Sequence, residues 1–396
     1  GAGAFAAPEP PGQAAAAAVV PPGQLRGATV AQAATHRIEN VSVARGWSCA
    51  AACAIVGGGC VPPQEVDEAT ASLGCEAPRP ENATGDTCRC DLGPGPLPRS
   101  LLPPRIAGQA FSASPFLMTH DAATGFVGNM DLRRPFVKAQ YVNLVEQLDC
   151  GVRALDIRVV VKGGNFENIH YHHTTIIGGT GVGWVSDQTL KGTMPDLVEW
   201  ARAHPQELVL LLVSHCYTEY WGRWWPLDCT DLRLMKAFND LSVRTEASCP
   251  TVDAWTLEQA EEAAQMDGGG RLLAIPGEGN CAQANYDSSI KKAGEVRGYV
   301  EDTMQDDIGS ERLWQVQSFI QQTVTVPVSA KLNADIAAWL STSDLYHGVN
   351  LLEVNLACAY GATISSALGA NITAADHAKC VQHCRRACRQ EGACTQ

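Results

Sequence analysis

From about residue 105 to 360, apolar runs of strand length alternate with amphipathic runs of helical length. No other feature constrains the chain as strongly. Strands joined through helices assemble into parallel sheets with helices on their outer faces. Candidate strands fall at 115–119, 152–161, 166–172, 207–214, 271–276, 313–318 and 349–356, with helical patterns between them at 137–149 and 188–203. The fold class is therefore α/β, as a barrel of parallel strands or a doubly wound sheet. Glycines 178, 179, 181 and 183 lack dinucleotide-loop spacing and read as a loop over the barrel mouth.

Around this unit the composition changes. Residues 1–34 form an Ala/Gly/Pro-rich extended arm, 35–92 a cysteine-rich module and 93–104 a Pro-rich linker. The barrel is expected over 105–365 and a C-terminal cysteine-rich segment over 366–396. In that segment Cys384-x3-Cys388-x5-Cys394 echoes Cys49-x3-Cys53-x6-Cys60. A module of about 55 residues has too small a core to stand without disulfides.

The 16 cysteines point to an oxidising compartment. Six lie at 49–90, six at 150–358 and four at 380–394, each an even count as closed disulfide sets require. The six at 49–90 are expected to close among themselves. Cys380, Cys384 and Cys388, at helical spacing, should bond to other segments, because adjacent turns of one helix fit disulfide geometry poorly. Asn40, Asn82 and Asn371 begin glycosylation sequons. The chain opens Gly-Ala-Gly, which fits removal of a secretion leader. Together these features predict a secreted or cell-surface protein. A net charge of −13 argues against nucleic acid and against electrostatic docking on anionic membranes. No apolar run approaches the roughly 20 residues that span a bilayer.

Three motifs carry ionisable groups at the ends of apolar runs, where chemistry in a parallel barrel sits. They are Phe-Leu-Met-Thr-His-Asp at 116–121, Gly-Val-Arg-Ala-Leu-Asp-Ile-Arg at 151–158 and Ile-His-Tyr-His-His-Thr at 169–174. Strand alternation puts Leu155, Ile157 and Val159 on one face and Ala154, Asp156 and Arg158 on the inward one. The same test turns His170 and His172 inward with Asn168; His173 follows only where the strand ends or bulges. Two histidines and an arginine supply a base, an acid and a phosphate clamp without metal. The competing readings are a buried Asp156–Arg158 ion pair, a structural histidine cluster, and zinc held by His170 and His172. His215 lines the mouth in this reading, as a substrate-binding candidate beside His170. Trp221, Trp224 and Trp225 sit on a loop bounded by Cys216 and Cys229, which is either a lipid-facing element or a pinned structural loop.

Segment 116–216 resembles the X domain of phosphatidylinositol-specific phospholipase C enzymes. The first motif is similar to that family's Thr-His-Asp-Ser/Asn, the second to its Gly-Ala-Arg-x-x-Asp-x-Arg, and the third to its strand ending in Tyr-His or His-His. Glu207-Leu-Val-Leu-Leu-Leu-Val-Ser-His resembles the next strand. The resemblance implies a distorted TIM barrel and cleavage of an inositol phosphodiester to a cyclic phosphate. It implies His120 as general base beside Asp121, Asp156 assisting, Arg158 on the phosphate, and His172 or His173 as general acid, with strand phase favouring His172. Arg158 stands where the calcium-dependent animal enzymes have an acidic ligand, so no cofactor and no calcium are expected. The implied substrate is an inositol phospholipid or glycolipid anchor, and the cysteine modules offer surfaces for extracellular protein partners. Two departures stand out. No glycine follows the acid histidine, and Leu313-Trp-Gln-Val-Gln-Ser-Phe lacks the expected acidic residue. The alternative is a catalytically silent adhesive protein that reuses the barrel.

Overall fold

The computed structural model describes residues 38–42, 59–60, 87–91, 108–128, 131, 137–177, 180–287, 289–307, 312–320, 326–342 and 349–390. Strands β1 (Ile38–Ser42), β2 (Gly59–Cys60) and β3 (Thr87–Asp91) form an antiparallel sheet in the order β1-β3-β2. The arm at 1–34, the linker at 93–104, Asn82 and the closure expected among the six cysteines at 49–90 lie outside the described residues.

The main sheet contains β4 (Phe116–Thr119), β5 (Ala154–Lys162), β6 (Ile169–Ile177), β7 (Thr180–Thr189) and β8 (Leu208–Tyr220). It continues with β9 (Arg223–Pro226), β10 (Arg244–Thr245), β11 (Arg271–Pro276), β12 (Ala282–Asn285), β13 (Leu313–Gln317) and β14 (Leu351–Val354). Eight of these run parallel in the order β10-β11-β8-β5-β4-β14-β13-β12. β10 and β12 are the two edges, so the sheet curls into an open barrel. The connection 277–281 carries the chain from β11 to the far edge, and the Cys249–Cys281 disulfide fastens it.

Period-two patterning gives this sheet two buried faces. Phe116, Met118, Ala154, Leu208, Leu210, Leu212, Leu273, Ile275, Leu313 and Leu351 fill the interior as one buried cluster. The alternate residues, among them Leu117, Leu155, Ile157, Val209, Leu211, Leu272 and Leu352, join the cluster shared with the outer helices. A strand buried on both faces reads as a continuous apolar run, which is why these segments are recognisable in the sequence.

The helices are α1 (Leu144–Asp149), α2 (Leu190–Ala203), α3 (Leu232–Asp240), α4 (Cys249–Asp253) and α5 (Leu257–Ala263). α6 (Ala293–Asp307), α7 (Val326–Thr342), α8 (Gly361–Ala367) and α9 (Ala374–Gln390) follow. Of the helix predicted over 137–149, only Val137 and α1 are helical, and 138–143 are not. Asn143 and Glu146 form a capping box at its start. Upstream, Thr124 Oγ1 takes the N–H groups of Ala139 and Gln140, which holds that stretch out of helix.

Four disulfides join described segments. Cys216–Cys229 and Cys249–Cys281 are local. Cys150–Cys380 and Cys358–Cys384 stitch α9 to the barrel. Even counts within the second and third cysteine groups therefore do not mean separate closed sets. Cys380 and Cys384 share one face of α9 and reach two different partners, as their helical spacing requires. α9 lies along α1, where His383 Nε2 contacts Asp149 Oδ2 at 3.0 Å and Arg386 pairs with Glu146.

Glycines 181 and 183 lie in β7, not in a loop; 178 and 179 are outside the described residues. β6 is not a barrel strand either. It runs antiparallel to the far half of β5, with Val159 opposite Tyr171, and continues as a ribbon with β7. β8 likewise outruns the predicted 207–214 and turns back as β9. These extensions form a rim beyond the barrel mouth.

Candidate active site

β4 ends in Thr119 and releases His120 and Asp121. Asp121 adopts a left-handed conformation (φ 47°, ψ 51°), which Asp tolerates better than most residues and which is common at functional sites. Its backbone N–H donates to Asp156 Oδ2 at 3.0 Å, so the β4 and β5 ends are locked together.

Asp156 and Arg158 project from the inner face of β5, as the alternation predicts. Arg158 Nε lies 2.8 Å from Asp121 Oδ1 and 2.8 Å from Asp156 Oδ2. Ser214 on β8 donates to the other oxygen, Asp156 Oδ1, at 2.5 Å. Burial alone would push Asp121 up, but the Arg158 guanidinium, helped by His173 and His120, outweighs it and holds the carboxyl well below the usual range. Burial likewise opposes charge on Arg158, and Asp121 and Asp156 override it, so the guanidinium stays charged.

His120 is placed from three sides. Its Nδ1 donates to Asn355 Oδ1 at 2.9 Å in the tautomer this pairing defines. Phe319 stacks on its ring at a centroid distance of 4.1 Å. Its Nε2 lies 3.2 Å from Asp121 Oδ2. Burial lowers its proton affinity and Asp121 partly restores it. Below it, Gln140 donates to the carbonyls of His120 and Val354 and accepts from Ala357 N–H, bracing the β4 and β14 ends.

The two candidate acids separate onto opposite faces of β6. His173 Nε2 lies 3.4 Å from Asp121 Oδ2, its ring centroid is 6.5 Å from that of His120, and its Nδ1 donates to Val137 O at 2.8 Å. His172 turns away into an aromatic nest, edge-on to Tyr217 and Trp224. Its Nε2 donates to His215 O and its Nδ1 accepts from Thr174 Oγ1. Burial lowers its pKa to about 3, which favours the neutral ring. The strand phase that favoured His172 assumed a barrel strand. In a ribbon lying beyond the rim, His173 is the residue that meets Asp121.

His170 is not brought into the cluster; its ring nitrogens face Ser186 O and Asn168 Oδ1. The nitrogens of His170 and His172 thus have separate partners and do not converge on a zinc position. His215 does reach the mouth. One extra residue in β8 at this point gives it φ 45° and sets its Nδ1 3.7 Å from Glu278 Oε2. Burial, reinforced by Arg158, lowers its pKa to about 4. Of the sequon residues, Asn371 is exposed ahead of α9 and Asn40 lies in β1.

Several site residues escape the motif reading. Glu278 follows β11, and burial together with Asp156 raises its pKa to about 7. Tyr286, after β12, donates to Glu353 Oε2 at 3.0 Å. Glu353 is fully buried on β14; burial and then Asp156 push its carboxyl well above the usual range, which keeps it neutral. Glu353 and Asn355 occupy alternate positions in a predicted strand, the same signal that revealed Asp156 and Arg158. Acidic groups thus come to the mouth from β11 and β14 instead of from Leu313–Phe319.

The fold and site define an open α/β barrel with a His–Asp–Arg–His cluster at the C-terminal ends of its strands. No family model matches the chain. A stretch of 73 residues is 32% identical to human PI-PLC X domain-containing protein 1, covering 18% of this chain and 20% of the relative. The match thus spans about a fifth of that relative's length. Among solved structures, the phosphatidylinositol-specific phospholipase C of S. aureus covers 67% of this chain and 95% of its own, with a TM-score of 0.47 and 11% identity. The Listeria monocytogenes enzyme covers 68% and 96%, with a TM-score of 0.44 and 17% identity. The chain resembles phosphatidylinositol-specific phospholipases C of the X-domain type.

Proposed function

We propose that the chain is a metal-independent phosphodiesterase that cleaves an inositol phosphodiester to a cyclic phosphate. His120 Nε2 takes the proton of the ring hydroxyl next to the phosphate as its oxygen attacks phosphorus. The bond from phosphorus to the lipid-side oxygen breaks, and protonated His173 gives that oxygen its proton. Arg158 stabilises charge developing on the phosphoryl oxygens. Asp121 and Asp156 position Arg158, Asp121 also favours the imidazolium form of His120, and Asn355 positions His120.

One observation carries this reading: His120 and His173 meet a single carboxylate oxygen of Asp121, whose other oxygen holds Arg158. Base, acid and phosphate clamp are thus fixed around one point. His120, Asp121 and Asp156 offer ligand atoms within 4.8 Å of one another, a set of cation-binding size. The Arg158 guanidinium already supplies the positive charge at that point and would repel a divalent ion.

The catalytic unit in this proposal runs over 105–365, with the cysteine-rich segments as appendages. The cross-linking disulfides and the exposed sequon at Asn371 support a secreted or cell-surface setting. Among the described residues no helix is long and apolar enough to cross a membrane. The test is release of cyclic inositol phosphate from phosphatidylinositol by the full chain, with and without chelator. Release that resists chelation is expected; none under any condition would overturn the proposal.

A further inference from the structure

Neutral His120 can carry its proton on either ring nitrogen, and its two polar neighbours favour opposite tautomers. Asp121 Oδ2, 3.2 Å from Nε2, would accept an Nε2–H, whereas Asn355 Oδ1, 2.9 Å from Nδ1, accepts an Nδ1–H. Only the second tautomer leaves Nε2 bare to take a proton. The choice rests on Asn355, and the far side of its amide does nothing to fix it. Its buried Nδ2 has no hydrogen-bond partner among the described residues. Turned over, the amide would offer an N–H to Nδ1 and reverse the tautomer. The direction of Asn355 is therefore set by the backbone that carries it.

That backbone is strained. β14 ends at Val354, and residues 355–360 lead into α8 with φ 52° at Leu356 and 62° at Tyr360. A left-handed leucine or tyrosine is a steric outlier. Such strain persists only where surrounding structure over-determines it. Ala139 O accepts the Leu356 N–H at 2.9 Å, Gln140 Oε1 accepts the Ala357 N–H at 3.0 Å, and the Cys358–Cys384 disulfide ties the loop to α9. The carbonyls of the loop are gathered by Asn333 of α7. Its Nδ2 lies 2.9 Å from Asn355 O, 3.1 Å from Leu356 O and 3.0 Å from Ala359 O. One buried amide thus holds three carbonyls, the first of them belonging to Asn355 itself. α7 does not require this residue, since alanine would suit a helix interior better and bury no polar group.

We infer that Asn333 is a positioning residue for His120: it fixes the turn at Leu356 and so keeps Asn355 Oδ1 aimed at Nδ1. The inference rests on the reading of His120 as general base. The path is two hydrogen bonds long, from Asn333 to the Asn355 carbonyl and from the Asn355 side chain to the imidazole. Asn350 provides an internal comparison. It is also buried, it precedes β14 at the opposite end, and its Nδ2 donates to Phe111 O and Ser114 O. It clamps carbonyls as Asn333 does, but those of a turn at the other end of the barrel.

The experiment is nitrogen NMR of the full chain carrying isotope-labelled histidine, with turnover of phosphatidylinositol measured alongside. The proteins are wild type, Asn333→Ala, Asn333→Ser and, as control, Asn350→Ser; His120→Asn assigns the His120 signals. Wild type should show His120 protonated at Nδ1. Asn333→Ala should pass a large share of that proton to Nε2 and lower kcat by about tenfold to a hundredfold with KM unchanged, the scale for displacing a catalytic group by up to about 1 Å. In an Asn355→Ala background it should cost nothing further in kcat, because both act through one hydrogen bond. Asn333→Ser keeps one donor and should fall between alanine and wild type; it carries the same comparison if the alanine chain does not fold. Asn350→Ser should lose stability yet keep the Nδ1 tautomer. An unchanged tautomer in the Asn333 variants would overturn the inference. So would the same change in Asn350→Ser, which would mark a general loosening, or an additive loss in the double variant. The tautomer is read without turnover. A chain that shows the tautomer change but releases no cyclic phosphate would sink the proposed catalysis and leave the clamp standing.

Discussion

His173 and His120 face one another across Asp121, with ring centroids 6.5 Å apart and each Nε2 within 3.4 Å of the same carboxylate oxygen. His172, one residue away, takes no part in this arrangement. The two neighbours should therefore differ sharply. His173→Ala is expected to lower kcat by about 10²- to 10⁴-fold, the worth of a positioned proton donor. A substrate whose leaving alcohol is already acidic should restore most of that loss, and should not rescue His120→Ala. If His173→Ala retains wild-type turnover, the acid lies elsewhere.

Arg158 Nε lies 2.8 Å from a carboxylate oxygen of each of Asp121 and Asp156, and the proposed mechanism gives the outer nitrogens of its fork to the phosphate. Arg158→Ala should cost about 10²- to 10³-fold in kcat, as loss of one preorganised charge-stabilising group does. Arg158→Lys should recover little, because a single ammonium cannot span both carboxylates and the phosphate. Addition of a chelator to the wild type should leave kcat/KM unchanged. Abolition of activity by the chelator, with recovery on adding calcium, would remove Arg158 from the cation's place.

The pH profile should report Asn355. In the proposed mechanism His120 works unprotonated, and its burial lowers its pKa, so activity should persist below the usual histidine range. Asn355 Oδ1 holds the Nδ1 proton without adding charge. Asn355→Asp places a carboxylate there, which favours the imidazolium. The acidic limb of kcat/KM should then move to higher pH, so that activity falls more at pH 5 than at pH 8. Asn355→Ala frees the tautomer and should reduce turnover about tenfold or more without moving the limb upward. An unmoved limb in the aspartate variant would mean that His120 does not set it.

The fold was legible where strands are buried on both faces. β11 was predicted at its observed bounds, and β4, β5 and β14 within a few residues of theirs. Alternation also put Asp156 and Arg158 inward, because β5 is regular through Arg158 before its pairing with β8 slips. Glu353 and Asn355 were equally readable by that alternation and were missed only because no motif drew attention to them. His173 was not readable by phase, since nothing local says that β6 leaves the barrel as an antiparallel ribbon. The false helix before Leu144 has a similar origin. Its apolar spacing is helical, yet the side chains of Thr124 and Gln140 bind it across the β4 and β14 ends. The hairpin at β8–β9 was hidden because the apolar run ends at Ser214 while the strand does not.

The last prediction concerns His172 and stability. Burial lowers its pKa from 6.5 to about 3, so the folded protein holds it neutral while the unfolded chain protonates it below about 6.5. Between these values the unfolded state binds more protons, and linkage makes stability fall as pH falls through that window. The slope attributable to this residue is at most about 1.4 kcal/mol per pH unit, and none of the loss is felt above about pH 6.5. His172→Asn removes the titration. It also removes the aromatic packing with Tyr217 and Trp224, so at pH 8 the variant should be less stable than wild type by roughly 1–3 kcal/mol. As pH drops from 6 to 4 that deficit should narrow and then reverse. Urea melts of both proteins at pH 8, 6, 5 and 4 measure it directly. A deficit that stays constant across the series would show that His172 is charged in the folded protein, and its two hydrogen bonds would then have to be reassigned.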